Sequence, residues 1–135
     1  MIYAVIDTNV FVSALLSRFP DSATVQVLSA LSKKGICPLY NQEILDEYHD
    51  VLNRDKFRIP SNLVDAIINK VKTIGIDSKR VKCEELFPDP KDAVFYEVAL
   101  SRDDAYVVTG NLKHFPKKPI VVTPAEMISI LEKQK

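Results

Sequence analysis

Short apolar runs alternate with amphipathic stretches along the whole chain. Five runs are rich in β-branched and aromatic residues, and most of their positions are continuously apolar, which is typical of strands covered on both faces. These predicted strands span residues 2–6, 36–40, 80–83, 105–109 and 120–123. The alternation predicts a layered α/β protein.

Amphipathic stretches fill the intervals between these runs. Four of them place apolar side chains three and four positions apart, as helices do; they are residues 22–34, 42–54, 61–74 and 92–102. A last helix opens at Thr123 and Pro124, with Glu126 placed for a capping box. Gly35 and Gly75 follow two predicted helix ends. Alternating strands and helices predict a three-layer α/β/α sandwich around a mostly parallel sheet of four to five strands.

Composition favours one globular domain over residues 1–135. Apolar residues make up 47% and charged residues 27% of the chain, which argues against disorder. Eighteen basic and eighteen acidic residues cancel, which argues against a protein that coats nucleic acid with a strongly basic surface. No apolar run reaches the roughly 18 residues of a membrane span, and the first residues lack the basic segment of a secretory signal. We therefore expect a cytoplasmic protein with no membrane partner.

Cysteine and histidine are too sparse to build a zinc site. The chain has two cysteines, Cys37 and Cys83, which lie far apart with no CxxC motif, and only two histidines. We expect both cysteines to behave as small buried hydrophobic residues in a reducing compartment.

Polar residues occupy the positions where an open parallel sheet binds ligands, outside the carboxyl ends of its strands. Glycine-rich phosphate loops and the GxSxG nucleophile motif are absent. The remaining candidates are Asp7, Thr8, Asn9, Glu43, Glu47, Asp92, Thr109 and Asn111. Clustered carboxylates repel one another unless a cation joins them, and oxygen ligands suit Mg²⁺ or Mn²⁺. Because Mg²⁺ is held by few carboxylates together with substrate phosphates, this pattern favours phosphate-ester chemistry.

Each candidate also has a purely structural interpretation. Asp7 can cap the helix that follows it. Glu47 can be an exposed helix charge paired with Arg54. Asp92 can be an acidic residue at a helix start, and Asn111, which follows a glycine, can be a turn residue.

Four segments, taken in order, resemble the PIN domain family. They are residues 6–13 (IDTNVFVS), 43–52 (EILDEYHDVL), 89–92 (DPKD) and 107–116 (VVTGNLKHFP). The resemblance extends over nearly the whole chain and is strongest to the toxin components of toxin–antitoxin systems. It implies a metal-dependent ribonuclease with a Rossmann-like fold.

The resemblance also implies roles for individual residues. Asp7, Glu47 and Asp92 correspond to the acidic ligands of Mg²⁺ or Mn²⁺, and Glu43 is a weaker match than Glu47. Asn111 occupies a fourth catalytic position. The expected substrate-binding residues are Thr8, Asn9, Thr109, Lys113 and His114; the last two follow the fourth predicted strand, where solvated loop residues are the alternative.

Asn111 departs from the family pattern, because many family members have Asp at that position. An amide offers a carbonyl oxygen but no charge. Three carboxylates therefore remain, enough for one ion, while binding of a second ion without substrate is left open. Asp89 and Asp104 are the candidates to supply the missing charge.

The expected partners are an RNA substrate, a small antitoxin protein and further copies of the chain in a homodimer or higher homo-oligomer. Basic clusters are candidate RNA-binding surfaces, with a solvated face as the alternative; they are Arg54, Lys56 and Arg58, then Lys79, Arg80 and Lys82, then Lys117 and Lys118. A PIN-fold module that binds RNA or protein without cutting is the rival hypothesis.

Overall fold

Five parallel strands form a single sheet in the computed structural model, which describes residues 1–134. The strands are β1 (Ile2–Ile6), β2 (Ile36–Tyr40), β3 (Ile76–Asp77), β4 (Ala105–Val108) and β5 (Val121–Val122). They pair in the order β3-β2-β1-β4-β5, and every neighbouring pair is parallel. The predicted α/β architecture with a parallel sheet is confirmed.

Six α-helices flank the sheet in the described part of the chain, residues 1–134. They are α1 (Thr8–Leu16), α2 (Ala23–Ser32), α3 (Gln42–Leu52), α4 (Ser61–Ile74), α5 (Ala93–Ala99) and α6 (Pro124–Lys133). The predicted capping box opens α6: the Glu126 N–H donates to Thr123 Oγ1 at 3.1 Å, and Glu126 Oε1 accepts from the Thr123 N–H at 2.9 Å. Within residues 1–134 no helix combines the length and the apolar character that a bilayer crossing requires.

The prediction of a strand at residues 80–83 is wrong, because the third strand lies at Ile76–Asp77. The Val81 N–H donates to the Glu97 carbonyl oxygen at 3.0 Å. The Cys83 N–H donates to Glu97 Oε2 at 2.7 Å. Glu97 is buried on α5, so this helix supplies the hydrogen-bond acceptors that a neighbouring strand would otherwise provide.

Of the two glycines that follow α2 and α4, Gly75 is the one whose missing side chain the fold requires. After α2, the left-handed residue is Lys34, with φ 61°, and Gly35 follows it. Gly75 has an extended backbone, with φ −96°. A Cβ at Gly75 would lie 2.4 Å from the carbonyl oxygens of both Pro38 and Val71. Gly75 therefore allows the end of α4 to lie directly against β2.

The strand order creates a crevice at the carboxyl ends of β1 and β4. From β1 the chain continues to β2 and β3 on one side, and from β4 it continues to β5 on the other. Ligands of open α/β sheets bind at such a switch point. Asp7 directly follows β1 and Thr109 directly follows β4, so the topology brings these two residues together.

Candidate active site

A polar cleft of about 230 Å³ opens at this edge of the sheet. Side chains reach it from the start of α1, from α3, from the segment before α5 and from the turn after β4. Eight of the residues singled out in the sequence line it: Asp7, Thr8, Asn9, Glu47, Arg54, Asp89, Asp92 and His114. The fold thus brings together acidic residues that are 40 and 45 positions apart in sequence.

Asp7 is the most deeply placed acid of the cleft, with 5% of its surface exposed. Thr109 Oγ1 donates to Asp7 Oδ2 at 2.8 Å, and the Asn111 N–H donates to Thr109 Oγ1 at 3.0 Å. Burial raises the pKa of Asp7, while the Thr109 hydroxyl and the N–H groups of Thr8 and Asn9 act in the opposite direction. Asp7 directly precedes α1, but its side chain makes no capping hydrogen bond to that helix; the hydrogen bond that holds it comes from Thr109.

Glu47 is held in place by the residue that follows it. The Tyr48 hydroxyl, fully buried, donates to the Ile6 carbonyl oxygen at the end of β1. The Tyr48 ring meets Phe11 edge-on at a centroid distance of 5.0 Å and lies 6.3 Å from the ring of Phe95. These contacts fix α3 against β1, α1 and α5, and therefore fix the backbone from which Glu47 extends.

Glu47 makes no ion pair with Arg54, although a purely structural role for Glu47 predicted that pair. Arg54 instead lies 3.8 Å from Asp50 one turn earlier, in an exposed pair that contributes little stability. Glu47 and Arg54 both line the cleft. Glu47 on α3 and Arg54 just beyond the end of α3 thus present an acid and a base to the same cavity without forming an ion pair.

Asp92 ends the short 3₁₀ turn that precedes α5, and 18% of its side chain is exposed. Burial, followed by the charges of Asp7 and Asp89, raises the pKa of Asp92 to about 6. His114 Nδ1 lies 3.4 Å from Asp92 Oδ2 and opposes this shift when the imidazole is protonated. Repulsion among the cleft carboxylates thus adds to the effect of burial in raising the pKa of Asp92.

The cleft offers oxygen donors that suit a hard divalent cation. Its carboxylates are Asp7, Glu47, Asp89 and Asp92, and Thr8 Oγ1 is a buried oxygen that has no hydrogen-bond partner among residues 1–134. Within the same residues, no three His, Cys, Asp or Glu side chains lie close enough together to enclose a metal ion. Mg²⁺ keeps several waters and uses only one or two protein carboxylates, so an open donor set of this kind fits it.

The family model of the PIN domain matches residues 3–113 of the chain. This chain belongs to the PIN domain family. PIN domains are generally nucleases and typically use divalent metal ions. The matched range includes every cleft residue except His114, which directly follows it. No curated protein matches the chain.

Three residues expected at the site lie outside the cleft of this PIN domain. Thr109 is fully buried behind Asp7, so it orients that carboxylate and cannot touch a ligand in the cleft. Asn111 does not line the cleft, and its N–H is bound to Thr109. Lys113 faces a neighbouring cavity.

The weaker acidic candidates differ in whether they reach the cleft. Glu43 points away from the cleft and pairs with Arg80 at 2.7 Å. Asp104 pairs with Arg102 at 3.2 Å, just before β4 and thus at the opposite edge of the sheet. Of the two residues considered as replacements for the missing acid, only Asp89 lines the cleft.

Sequence reasoning named Arg54 in a candidate RNA-binding cluster and missed Lys91, and both residues line the cleft. Arg54 lies two residues beyond the end of α3, where the chain leaving the helix carries it to the cleft that Glu47 and Val51 also line. Lys91 lies between the two acids of segment 89–92 and also lines the cleft. No local pattern distinguishes it from a solvated lysine.

Proposed function

We propose that this PIN domain is an endoribonuclease that depends on Mg²⁺ or Mn²⁺ and hydrolyses phosphodiester bonds in the cleft. One observation carries the proposal: Asp7, Glu47 and Asp92 come from three different elements and share a cavity with Arg54 and Lys91. Carboxylates for a cation and basic groups for a phosphate are the two requirements of metal-assisted phosphoryl transfer.

Asp7, Glu47 and Asp92 would hold the cation, one or two of them directly and the remainder through the waters that such an ion keeps. When bound, such an ion supplies Lewis-acid activation of water and of the phosphoryl group. The Thr109 hydroxyl favours the ionised form of Asp7 by donating a hydrogen bond to it. The Tyr48 hydroxyl holds α3 against the end of β1. These two buried residues would therefore position the ligands and not take part in the chemistry.

The basic residues would bind the phosphate and serve the leaving group. Arg54 and Lys91 supply charged donors to phosphate oxygens beside the carboxylates. His114 Nδ1 lies near Asp92, which leaves Nε2 to donate a proton to the oxygen that departs when the P–O bond breaks.

Cleavage of RNA in Mn²⁺, in EDTA and by an Asp7→Asn variant tests the proposal. Asp7→Asn should reduce cleavage more than about 100-fold, because a bound cation contributes several kcal/mol to transition-state stabilisation. The matched control is Asp65→Asn, the same change at an exposed residue on α4. Cleavage that survives EDTA or the Asp7→Asn substitution would overturn the assignment.

A PIN-fold module that binds RNA or protein without cutting is the second candidate. It is favoured by the open arrangement of acids, since no three metal-binding side chains within residues 1–134 form an enclosure. Thermal unfolding with and without Mn²⁺ separates the two. A site that binds the ion gains about 2.7 kcal/mol at a hundredfold excess over Kd. If the protein is a nuclease, Mn²⁺ should stabilise the wild type, and this stabilisation should be lost in Asp7→Asn.

We also infer a biological role as a toxin held inactive by a small antitoxin protein, in a homodimeric or larger assembly. The support is the resemblance of the motif segments to the toxin branch of the family. Expression of the wild type should arrest growth of the host, and expression of Asp7→Asn should not. Co-expression of a small protein encoded beside this gene should restore growth.

A further inference from the structure

A second cavity, of about 380 Å³, lies next to the cleft. Lys113, Lys117 and Lys118 contribute its basic side chains, and Pro116 and Pro119 contribute apolar surface. We call this feature the lysine cavity. It combines positive charge with an apolar wall, whereas the cleft combines carboxylates with basic groups.

A single turn separates the two cavities. Lys113 lines the lysine cavity, and the next residue, His114, lines the cleft. The His114 N–H donates to the Asn111 carbonyl oxygen at 2.9 Å, which closes the turn. Phe115 anchors it, because its buried ring lies 6.1 Å from that of Phe87. A single strand of RNA that leaves the cleft past His114 therefore reaches the lysine cavity directly.

Two of the three ammonium groups form no ion pair within residues 1–134. Lys118 lies 3.2 Å from Glu85. Glu126 also lines the cavity; its carboxylate accepts the Thr123 N–H in the capping box of α6 and contributes one negative charge against the three positive charges of the lysines. Lys113 and Lys117 are exposed and form no ion pair within residues 1–134. Two like charges at one cavity repel each other, and an anion between them relieves that repulsion.

We propose that the lysine cavity is a subsite for the single-stranded RNA that the cleft cuts. Lys113 and Lys117 bind backbone phosphates beyond the scissile bond, and a base packs on the surface formed by Pro116 and Pro119. Charged grooves that follow the backbone beside an apolar platform are the usual way to hold a single strand. The inference rests on the proposed function, because the strand extends from the cleft.

Binding of a labelled single strand tests the subsite. A strand of about 12 nucleotides is suitable, and EDTA in the buffer prevents cleavage. The variant is the double substitution Lys113→Gln with Lys117→Gln. The control is Lys70→Gln with Lys72→Gln, which removes the same charge near the end of α4, at the opposite edge of the sheet. Fluorescence anisotropy gives Kd at several salt concentrations.

Loss of two phosphate contacts predicts a specific change in salt dependence. The slope of log K against log salt should be less steep by about 1.4, and Kd should rise roughly tenfold at about 0.15 M salt. The control should match the wild type. In Mn²⁺, cleavage by the double variant should show a higher KM and an unchanged kcat, because the lost interaction is uniform binding.

The outcomes separate the subsite from the proposed function. An unchanged Kd and slope in the double variant would overturn the subsite while wild-type cleavage still supports the nuclease. A lower kcat at saturating strand would also overturn it, because the lysines would then act on the chemistry. Lysine-dependent binding without any cleavage would support the subsite and contradict the nuclease.

Discussion

Thr109 Oγ1 donates a hydrogen bond of 2.8 Å to Asp7 Oδ2, joining the ends of two neighbouring strands across 102 positions of sequence. Both residues are buried, and Thr109 in turn accepts the Asn111 N–H. The hydroxyl is therefore a link between the backbone of the turn after β4 and the central acid of the cleft. It favours the ionised form of an acid whose pKa burial raises.

Thr109→Val should destabilise the protein by about 1–3 kcal/mol at neutral pH, because a buried carboxylate and a backbone N–H each lose a partner. The pKa of Asp7 should rise further, and Mn²⁺ should bind more weakly. Chemical denaturation and calorimetric titration measure the two effects. Thr109→Ser keeps the hydroxyl and serves as the control; an equal loss in both variants would assign the effect to packing of the methyl group.

Tyr48→Phe should cost about 1–3 kcal/mol, since it removes the hydroxyl that donates to Ile6 but keeps the ring. Burial, followed by the charge of Asp7, raises the pKa of Tyr48 well above its ordinary value, so the hydroxyl stays a donor at all working pH. Thermal unfolding measures the loss. Tyr40→Phe is the control, because the Tyr40 hydroxyl makes no hydrogen bond within the described residues. Equal melting temperatures of Tyr48→Phe and the wild type would contradict a stabilising role for the hydrogen bond from Tyr48 to Ile6.

Local patterns predicted most of the fold because most elements are determined locally. The continuous apolar run before Asp7 became β1, and the capping signal at Thr123 became the start of α6. The strand expected at residues 80–83 failed for a non-local reason. Its N–H groups bind Glu97, a residue in another element, and no window around the segment contains that information.

The candidate site divides in the same way. Acids directly after strands or on an amphipathic helix were identifiable, and the cleft contains Asp7, Glu47 and Asp92. The turn after β4 was not predictable in detail, because its direction decides which side chains face the cleft. His114 faces it, and Lys113 does not.

Arg80 joins two helices that carry residues of the cleft. Its guanidinium contacts Glu43 on α3, whose side chain is 59% exposed, and Glu97 on α5, whose side chain is 9% exposed. Burial alone would raise the pKa of Glu97. Hydrogen bonds from Arg80 and the Cys83 N–H outweigh that effect and hold the pKa below its ordinary value of 4.5.

Glu97→Gln should therefore destabilise the protein by about 1–3 kcal/mol, and Glu43→Gln by less than about 1 kcal/mol. Because the pKa of Glu97 is lower in the folded than in the unfolded chain, its contribution is complete above pH 4.5. It disappears as the pH falls through the folded value. Urea unfolding at several pH values measures the difference; equal losses for the two variants would contradict the role of burial.

Affinity for Mn²⁺ should fall as the pH drops below about 6. The folded protein keeps the Asp92 proton up to a pKa of about 6, against an ordinary value of 3.8. A cation at Asp92 must displace that proton, so acid competes with metal, and the raised pKa of Asp7 acts in the same direction. The folding stability of the metal-free protein should change in the opposite direction to its Mn²⁺ affinity. Between these pKa values the folded chain binds more protons than the unfolded chain, so Asp92 favours folding as the pH falls.

Calorimetric titration with Mn²⁺ between about pH 7.5 and about pH 5 measures this competition. Asp92→Asn should bind the ion more weakly at neutral pH and show a shallower pH dependence, because the titrating carboxyl is gone. His114→Gln should keep the dependence, since only the neighbouring imidazole is removed. Affinity that is flat across the range in the wild type would show that Asp92 does not bind the ion. A dependence lost in His114→Gln would assign the titration to the imidazole instead.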